Sequence, residues 1–303
     1  MQRIKTVDEM RAAVQSLRGQ PAAAGNGKIH GARSIGLVPT MGALHEGHLS
    51  LVRAAKDRCD AVVVSIFVNP TQFGPREDYD RYPRNVDADC ALLEREGVDA
   101  VFMPDVMEMY PPGTTTYVDV GPIGERLDGA SRPGHFRGVA TVVAKLFHIV
   151  EPDRAFFGQK DAAQVAVLRR MVRDLHFRTE LVVCPIVRED DGLAMSSRNG
   201  YLLPDEHEQA LVLHKTLRVI QSRFAEGERS AERLLSAGLF VMAYEPTVRI
   251  DYLKVVNPKT LEDVSEVEGR ALVVLAAFVG GTRLIDNVLL EEPFLVNVIP
   301  AQA

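Results

Sequence analysis

The chain has 303 residues, 46% of them hydrophobic and 25% charged, which suits one large folded unit or two unequal ones and excludes a disordered or fibrous chain. Its 35 Lys and Arg stand against 41 Asp and Glu, a formal charge of -6 with pI near 5.8. No general attraction for nucleic acid or anionic membrane is expected, although a local basic cleft could still take a small anion.

Taken in chain order, Met1 to Met10 carries charges but no apolar core, and Gln20 to Gly31, rich in Ala and Gly, reads as a surface connection. Short apolar, often β-branched stretches follow at 35–38, 61–68, 100–103, 154–157 and 180–187. Between them lie helical patterns at 48–58, at 86–96 (stopped by Gly97), at 138–149 (stopped before Pro152), and at 161–175, opening at Asp161. This alternation predicts an α/β fold, a parallel sheet covered by helices. After residue 187 the character changes, with the acidic turn Arg188 to Gly192 and the polar stretch Ser196 to Asn199. The expected division is a Rossmann-like domain over 1–186 and a smaller α+β domain over 187–303. The second domain offers helices near 205–226 and 230–243 and antiparallel strands near 248–256, 270–279 and 283–290, with a tail after Pro293. No apolar run is long enough to span a bilayer, and Cys59, Cys90 and Cys184 form no CxxC pair. They read as buried thiols in a cytoplasmic protein.

Ligands on such sheets collect beyond the carboxyl ends of the strands, and the chemistry-bearing residues fall there. His45-Glu46-Gly47-His48 follows the first core strand; histidines three apart share a helix face, and free N–H groups at a helix start favour an anion. Gly47 would let a phosphate or a tight turn approach the backbone. Zinc is a weaker alternative, because nothing else nearby stands at ligand spacing. Asn69-Pro70-Thr71-Gln72 places two amides at a turn after the second strand, suited to hydroxyl or carboxylate groups, though Asn-Pro is also simply a turn former. Gly158-Gln159-Lys160-Asp161 supplies an ammonium for phosphate, with Asp161 expected to cap the next helix and Gln164 to complete a local box. Met195-Ser196-Ser197-Arg198 adds two hydroxyls and a guanidinium in a loop that could close over phosphate; a plain polar turn is the competing reading. Arg132 is near, and His135 and Arg137 are expected just ahead of a helix, where they could complement an acidic substrate. Asp87 and Asp89 are candidate magnesium ligands, although i, i+2 spacing on a helix points them apart. The glycine-rich lysine loop is absent, and Gly121, Gly124 and Gly129 do not form a dinucleotide fingerprint.

His45 to His48 resembles the HxGH signature of the nucleotidyltransferase superfamily, and Met195 to Arg198 its KMSKS-like second signature, with Arg198 where that signature ends in Lys-Ser. With their flanks, PTMGALHEGH (39–48), IFVNPTQFG (66–74), FFGQKD (156–161), GLAMSSRN (192–199) and DYLKVV (251–256) resemble the pantoate-beta-alanine ligase family. The resemblance implies ATP-dependent condensation of D-pantoate with beta-alanine through a pantoyl-adenylate, by a cytoplasmic, magnesium-using homodimer. By the same resemblance His45, His48, Lys160 and Arg198 carry the chemistry. ATP would be bound by these four together with Pro39, Met41, Gly158, Asp161, Val187, Met195, Ser196 and Ser197. Gln72, Gln164, Asn69 and Arg132 would bind pantoate. Where family members often carry a second glutamine before Gln164, this chain has Ala163. Two other readings stay open here: a nucleotidyltransferase that uses another acid and makes no amide, and a nucleotide-binding module without activity.

Overall fold

The structure, a computed structural model, describes residues 1–19, 32–75 and 77–291. The expected connection Gln20 to Gly31 and the expected tail after Pro293 lie outside the described residues. The chain begins with β1 (Gln2–Ile4) and α1 (Val7–Gly19), then runs β2 (Ile35–Thr40), α2 (Glu46–Arg58), β3 (Ala61–Ile66), α3 (Val86–Arg95) and β4 (Ala100–Phe102). Two short helices follow, α4 (Val106–Met109) and α5 (Asp128–Ser131), before α6 (His135–Val150), β5 (Arg154–Gly158), α7 (Ala162–Asp174) and β6 (Glu180–Cys184). These six strands form one parallel sheet in the order β1-β4-β3-β2-β5-β6. Strand β2 reads Ile-Gly-Leu-Val and is buried on both faces, as helices above and below a parallel sheet require. One face packs on α1, α6 and α7 and the other on α2 and α3.

The remaining elements are α8 (Pro204–Ala225), α9 (Ala231–Met242), β7 (Arg249–Val256), β8 (Arg270–Val279) and β9 (Thr282–Glu291), the strands pairing antiparallel in chain order. Strand β8 is apolar at both parities for a physical reason. Val273, Leu275 and Ala277 pack against α8 and α9, while Leu272 and Val274 join the core that contains α6 and α7. The second sheet therefore sits directly on the first unit. Among the described residues no helix is long and apolar enough to cross a membrane.

Most expected elements are present within a few residues, and three differences have local causes. Helix α6 starts at His135, one turn earlier than the apolar period suggests, after Gly134 in a left-handed conformation (φ 84°). His135 and Arg137 therefore lie inside the helix, not before it. Strand β6 ends at Cys184 because Pro185 has no N–H for the ladder. The start of α7 is a short 3-10 turn over Gln159–Asp161, and the Asp161 side chain makes no capping hydrogen bond, so the expected box with Gln164 is not formed.

Candidate active site

Strand order reverses around β2: the chain leaves toward β3 on one side and returns as β5 on the other. Crevices form at the carboxyl ends of such a pair. Here a cavity of about 170 Å³ lies between Pro39, Thr40 and Met41 after β2 and Lys160 and Asp161 after β5. Its wall also carries His45, His48, Asn69, Gln72 and Gln164. Lys160, Asp161, Gln164, Ser196 and Arg198 are shared with a larger cleft, about 1350 Å³, lined by the second sheet and by loops and helices of the first unit.

The loop from β2 to α2 is held from below. Asp89, 3% exposed, accepts hydrogen bonds from the backbone N–H groups of Ala43 (2.9 Å) and Leu44 (2.8 Å), supporting a left-handed pair, Gly42 (φ 83°) and Ala43 (φ 50°). The chain then enters α2 with His45 as the N-cap. The Nδ1 of His45 accepts from Gly47 N–H (3.1 Å), and the Nδ1 of His48 accepts a longer bond from His45 N–H (3.4 Å). Both rings therefore carry their proton on Nε2, leaving two N–H donors for a ligand. Gly47 is required for this fold-back, since a Cβ there would lie 2.9 Å from the His45 ring. Of the two expected reasons for a glycine here, a phosphate or a tight turn, this fold-back is the tight turn. Burial, then the Lys160 charge, lowers the His45 pKa to about 4; burial, then His45 and Lys160, lowers that of His48 to about 3. At neutral pH both imidazoles are uncharged.

The turn after β3 is built around Asn69, 1% exposed. Its Oδ1 caps Thr71 N–H, and its Nδ2 donates to Gln72 Oε1 (3.1 Å) and to Gly138 O (3.2 Å). Helix α6 can come this close only because residue 138 is glycine; a Cβ would meet Thr71 O at 2.3 Å. Gln72 donates from Nε2 to Met41 Sδ (3.1 Å). Its carbonyl accepts from His135 Nδ1 (2.8 Å) and from Arg132 (3.2 Å). Because Arg132 also donates to His135 Nε2 (3.2 Å), the His135 proton sits on Nδ1, and burial lowers its pKa to about 4. Arg132 is itself paired with Glu77 and lines the larger cleft and not the small cavity. Arg137 faces solvent and stacks on Tyr117.

Lys160 is braced from the second sheet: Asn287 on β9, 2% exposed, donates to the carbonyls of Gln159 and Lys160 (both 2.9 Å). The 188–199 loop is tied on two sides. Arg188 binds Asp286 (2.7 and 3.0 Å), while Arg198 pairs with Asp78 (both 2.9 Å) and Ser197 meets Tyr82 (3.1 Å). Burial raises the Asp78 pKa, but Arg198 outweighs it and holds the carboxyl below its ordinary range. Ser196 caps a 3-10 turn by accepting from Arg198 N–H, as the polar-turn reading of this loop expects. Gly158 ends β5, two residues before Lys160; Val187 and Met195 are joined by a backbone hydrogen bond (3.0 Å) at the neck of the loop and do not line the small cavity.

Asp87 and Asp89 do not fit a magnesium ion as a pair. Both Asp89 oxygens are committed to the loop backbone, and the Asp87 side chain is 98% exposed beside Arg3. Sequence reasoning missed Ser65, Asp78, Tyr82, Gly138 and Asn287. A glycine inside an apolar helical period was a usable signal for Gly138. Asn287 offered none, because its partners lie more than a hundred residues away.

The profile of the pantoate-beta-alanine ligase family matches residues 2–289. Pantothenate synthetase of Acidobacterium capsulatum is 69% identical over 96% of this chain and 98% of its own, and that of Koribacter versatilis 55% identical over 96% of each. The crystal structure of pantothenate synthetase from Thermus thermophilus superposes with a TM-score of 0.87 at 47% identity, covering 95% of this chain and 99% of the other. A Francisella tularensis pantoate-beta-alanine ligase, crystallised with beta-gamma ATP and beta-alanine, gives 0.75 at 34% identity, over 95% and 97%.

Proposed function

The chain belongs to the pantoate-beta-alanine ligase family, and from that premise we propose how its cleft joins D-pantoate to beta-alanine with ATP, releasing AMP and pyrophosphate. The observation that carries the assignment of roles is the make-up of the small cavity's wall. It brings the cationic and N–H donors Lys160, His45 and His48 together with the uncharged amides of Asn69, Gln72 and Gln164.

In the first step a pantoate carboxylate oxygen attacks the α-phosphorus, the bond to pyrophosphate breaks, and pantoyl-adenylate forms. Negative charge grows on phosphoryl oxygens, where Lys160 and the two neutral imidazoles can donate without reorganising and Arg198 can donate once it leaves Asp78. Pro39, Met41, Gly158, Asp161, Val187, Met195, Ser196 and Ser197 shape the nucleotide site in this reading. Gln72 and Gln164 hold pantoate, with Asn69 orienting Gln72. Arg132 acts one step back, fixing the Gln72 carbonyl. In the second step the neutral amine of beta-alanine attacks the activated carbonyl carbon and AMP leaves. No protein nucleophile is needed. Magnesium is proposed to arrive on the ATP phosphates, as that cation commonly does. Residues 1–186 hold the reactants and 187–303 form a lid that excludes water from the adenylate. A cytoplasmic homodimer completes the proposal.

The test is pantoate-dependent exchange of labelled pyrophosphate into ATP, repeated with beta-alanine while AMP and pantothenate are followed. Exchange with D-pantoate followed by amide formation is expected. Folded, ATP-binding protein that fails to exchange would point to a different acid.

A further inference from the structure

Among the described residues the buried Ser65 Oγ has no hydrogen-bond partner, and Ser65 lines the small cavity. Ser65 is 1% exposed and stands near the carboxyl end of β3, in register with Pro39. Thr40 does not satisfy it, because the Thr40 hydroxyl donates to the Ser65 carbonyl (2.7 Å) and accepts from Gly42 N–H (3.2 Å). Buried hydroxyls are nearly always paired, so an unpaired one in a cavity wall points to a partner that arrives with the ligand. Alternation along β3 puts Ser65 on the face of Val63 and Phe67, toward α6. There the cavity wall is otherwise apolar: Val139, Val142, Val143, Leu146 and Phe157.

We propose that Ser65 is a substrate-contacting specificity residue whose hydroxyl pairs with the primary hydroxyl of pantoate. The inference rests on the functional reading above. Pantoate must turn its carboxylate toward Lys160 and the histidines to be adenylated. Its opposite end, a hydroxymethyl group beside two methyls, then faces the apolar wall, where the methyls meet valines and the hydroxyl meets Ser65. A site that hydrogen-bonds a substrate hydroxyl rejects an acid lacking it, which an apolar wall alone cannot do.

The test measures pyrophosphate exchange by the full chain and by Ser65→Ala, with pantoate and with 2-hydroxy-3,3-dimethylbutyrate, which lacks the primary hydroxyl. Ser65→Ala should raise the pantoate KM about tenfold, equivalent to about 1.4 kcal/mol. The ATP KM and the ligand-free Tm should hold steady. With the truncated acid the two proteins should become equal, because the pair is already broken. The unaltered chain supplies a check independent of the variant: it should use the truncated acid with a KM raised by a similar factor. An unchanged pantoate KM in Ser65→Ala would overturn the assignment, as would a gap that persists with the truncated acid. Absence of pantoate-dependent exchange in the unaltered chain would instead overturn the functional reading, and this inference with it.

Discussion

Burial takes His45 and His48 far from an exposed histidine's proton affinity, and the consequence can be measured in stability as well as in rate. In the unfolded chain both titrate near 6.5; in the native protein protonation waits until about 4 and about 3. Between those values the unfolded chain binds more protons, so stability must fall as pH drops below 6.5 and level off only below the native values. By pH 5 His48 alone should account for about 2 kcal/mol of loss. Urea unfolding at pH 7 and pH 5 should show it, and His45→Gln combined with His48→Gln should flatten it; equal slopes would mean that other groups control the acid limb. On rate, His48→Ala should lower pyrophosphate exchange by roughly 10²–10³, the usual effect of removing one preorganised donor, with little change in Tm at pH 7. Gln72→Ala should instead raise the pantoate KM while sparing ATP binding. A selective weakening of ATP in that variant would contradict its assignment to pantoate.

Elements position these residues through close approaches, and α6 against the 69–72 turn is one of them. Gly138→Ala would press a methyl into the Thr71 carbonyl, so the helix must move and Gln72 with it. The expected result is a loss of about 1–3 kcal/mol in unfolding free energy, the range for overpacking, accompanied by a raised pantoate KM. Unchanged pantoate binding in a destabilised protein would separate packing from positioning. This contact also marks how far the sequence could be read. Apolar runs such as Ile35 to Val38 and Val62 to Ile66 announced their strands, because a parallel sheet covered on both faces leaves no polar alternation to misread. The motifs at 45–48, 69–72, 158–161 and 195–198 fell after strands and a turn, where the fold collects ligands. Hidden were features set by distant partners: the polar first turn of α6 at His135, the commitment of Asp89 to Ala43 and Leu44, and Asn287 behind Lys160. Periodicity reports which face is buried, not which polar atom meets which.

At the scale of the whole molecule the second sheet has two kinds of attachment to the first unit. One is fixed: Arg283 bridges Asp128 (2.8 Å) and Asp251 (2.8 Å), Tyr252 donates to Asp128 (3.1 Å), and all four side chains are largely shielded from solvent. Breaking a buried pair of this kind leaves an uncompensated charge, so it resists opening. The other attachment is exchangeable. Arg198 holds Asp78, yet the proposed chemistry needs that guanidinium on a phosphate. Phosphate offers the same bidentate geometry as a carboxylate, so ATP can replace Asp78 without leaving Arg198 unpaired. The loop from Arg188 to Asn199 should therefore pivot about its Asp286 anchor while the Arg283 cluster stays closed. Asp78→Ala separates the two states. Without ligand, amide hydrogen exchange in the loop should speed up relative to the unaltered chain, because its outer tie is gone. With ATP and pantoate the protection should return to the level of the unaltered protein, since phosphate now supplies the missing anion. A loop that stays equally exposed in the variant with and without ATP would show that Arg198 does not move to the nucleotide. Loss of protection around Asp128 and Asp251 on ligand binding would move the hinge to the other attachment.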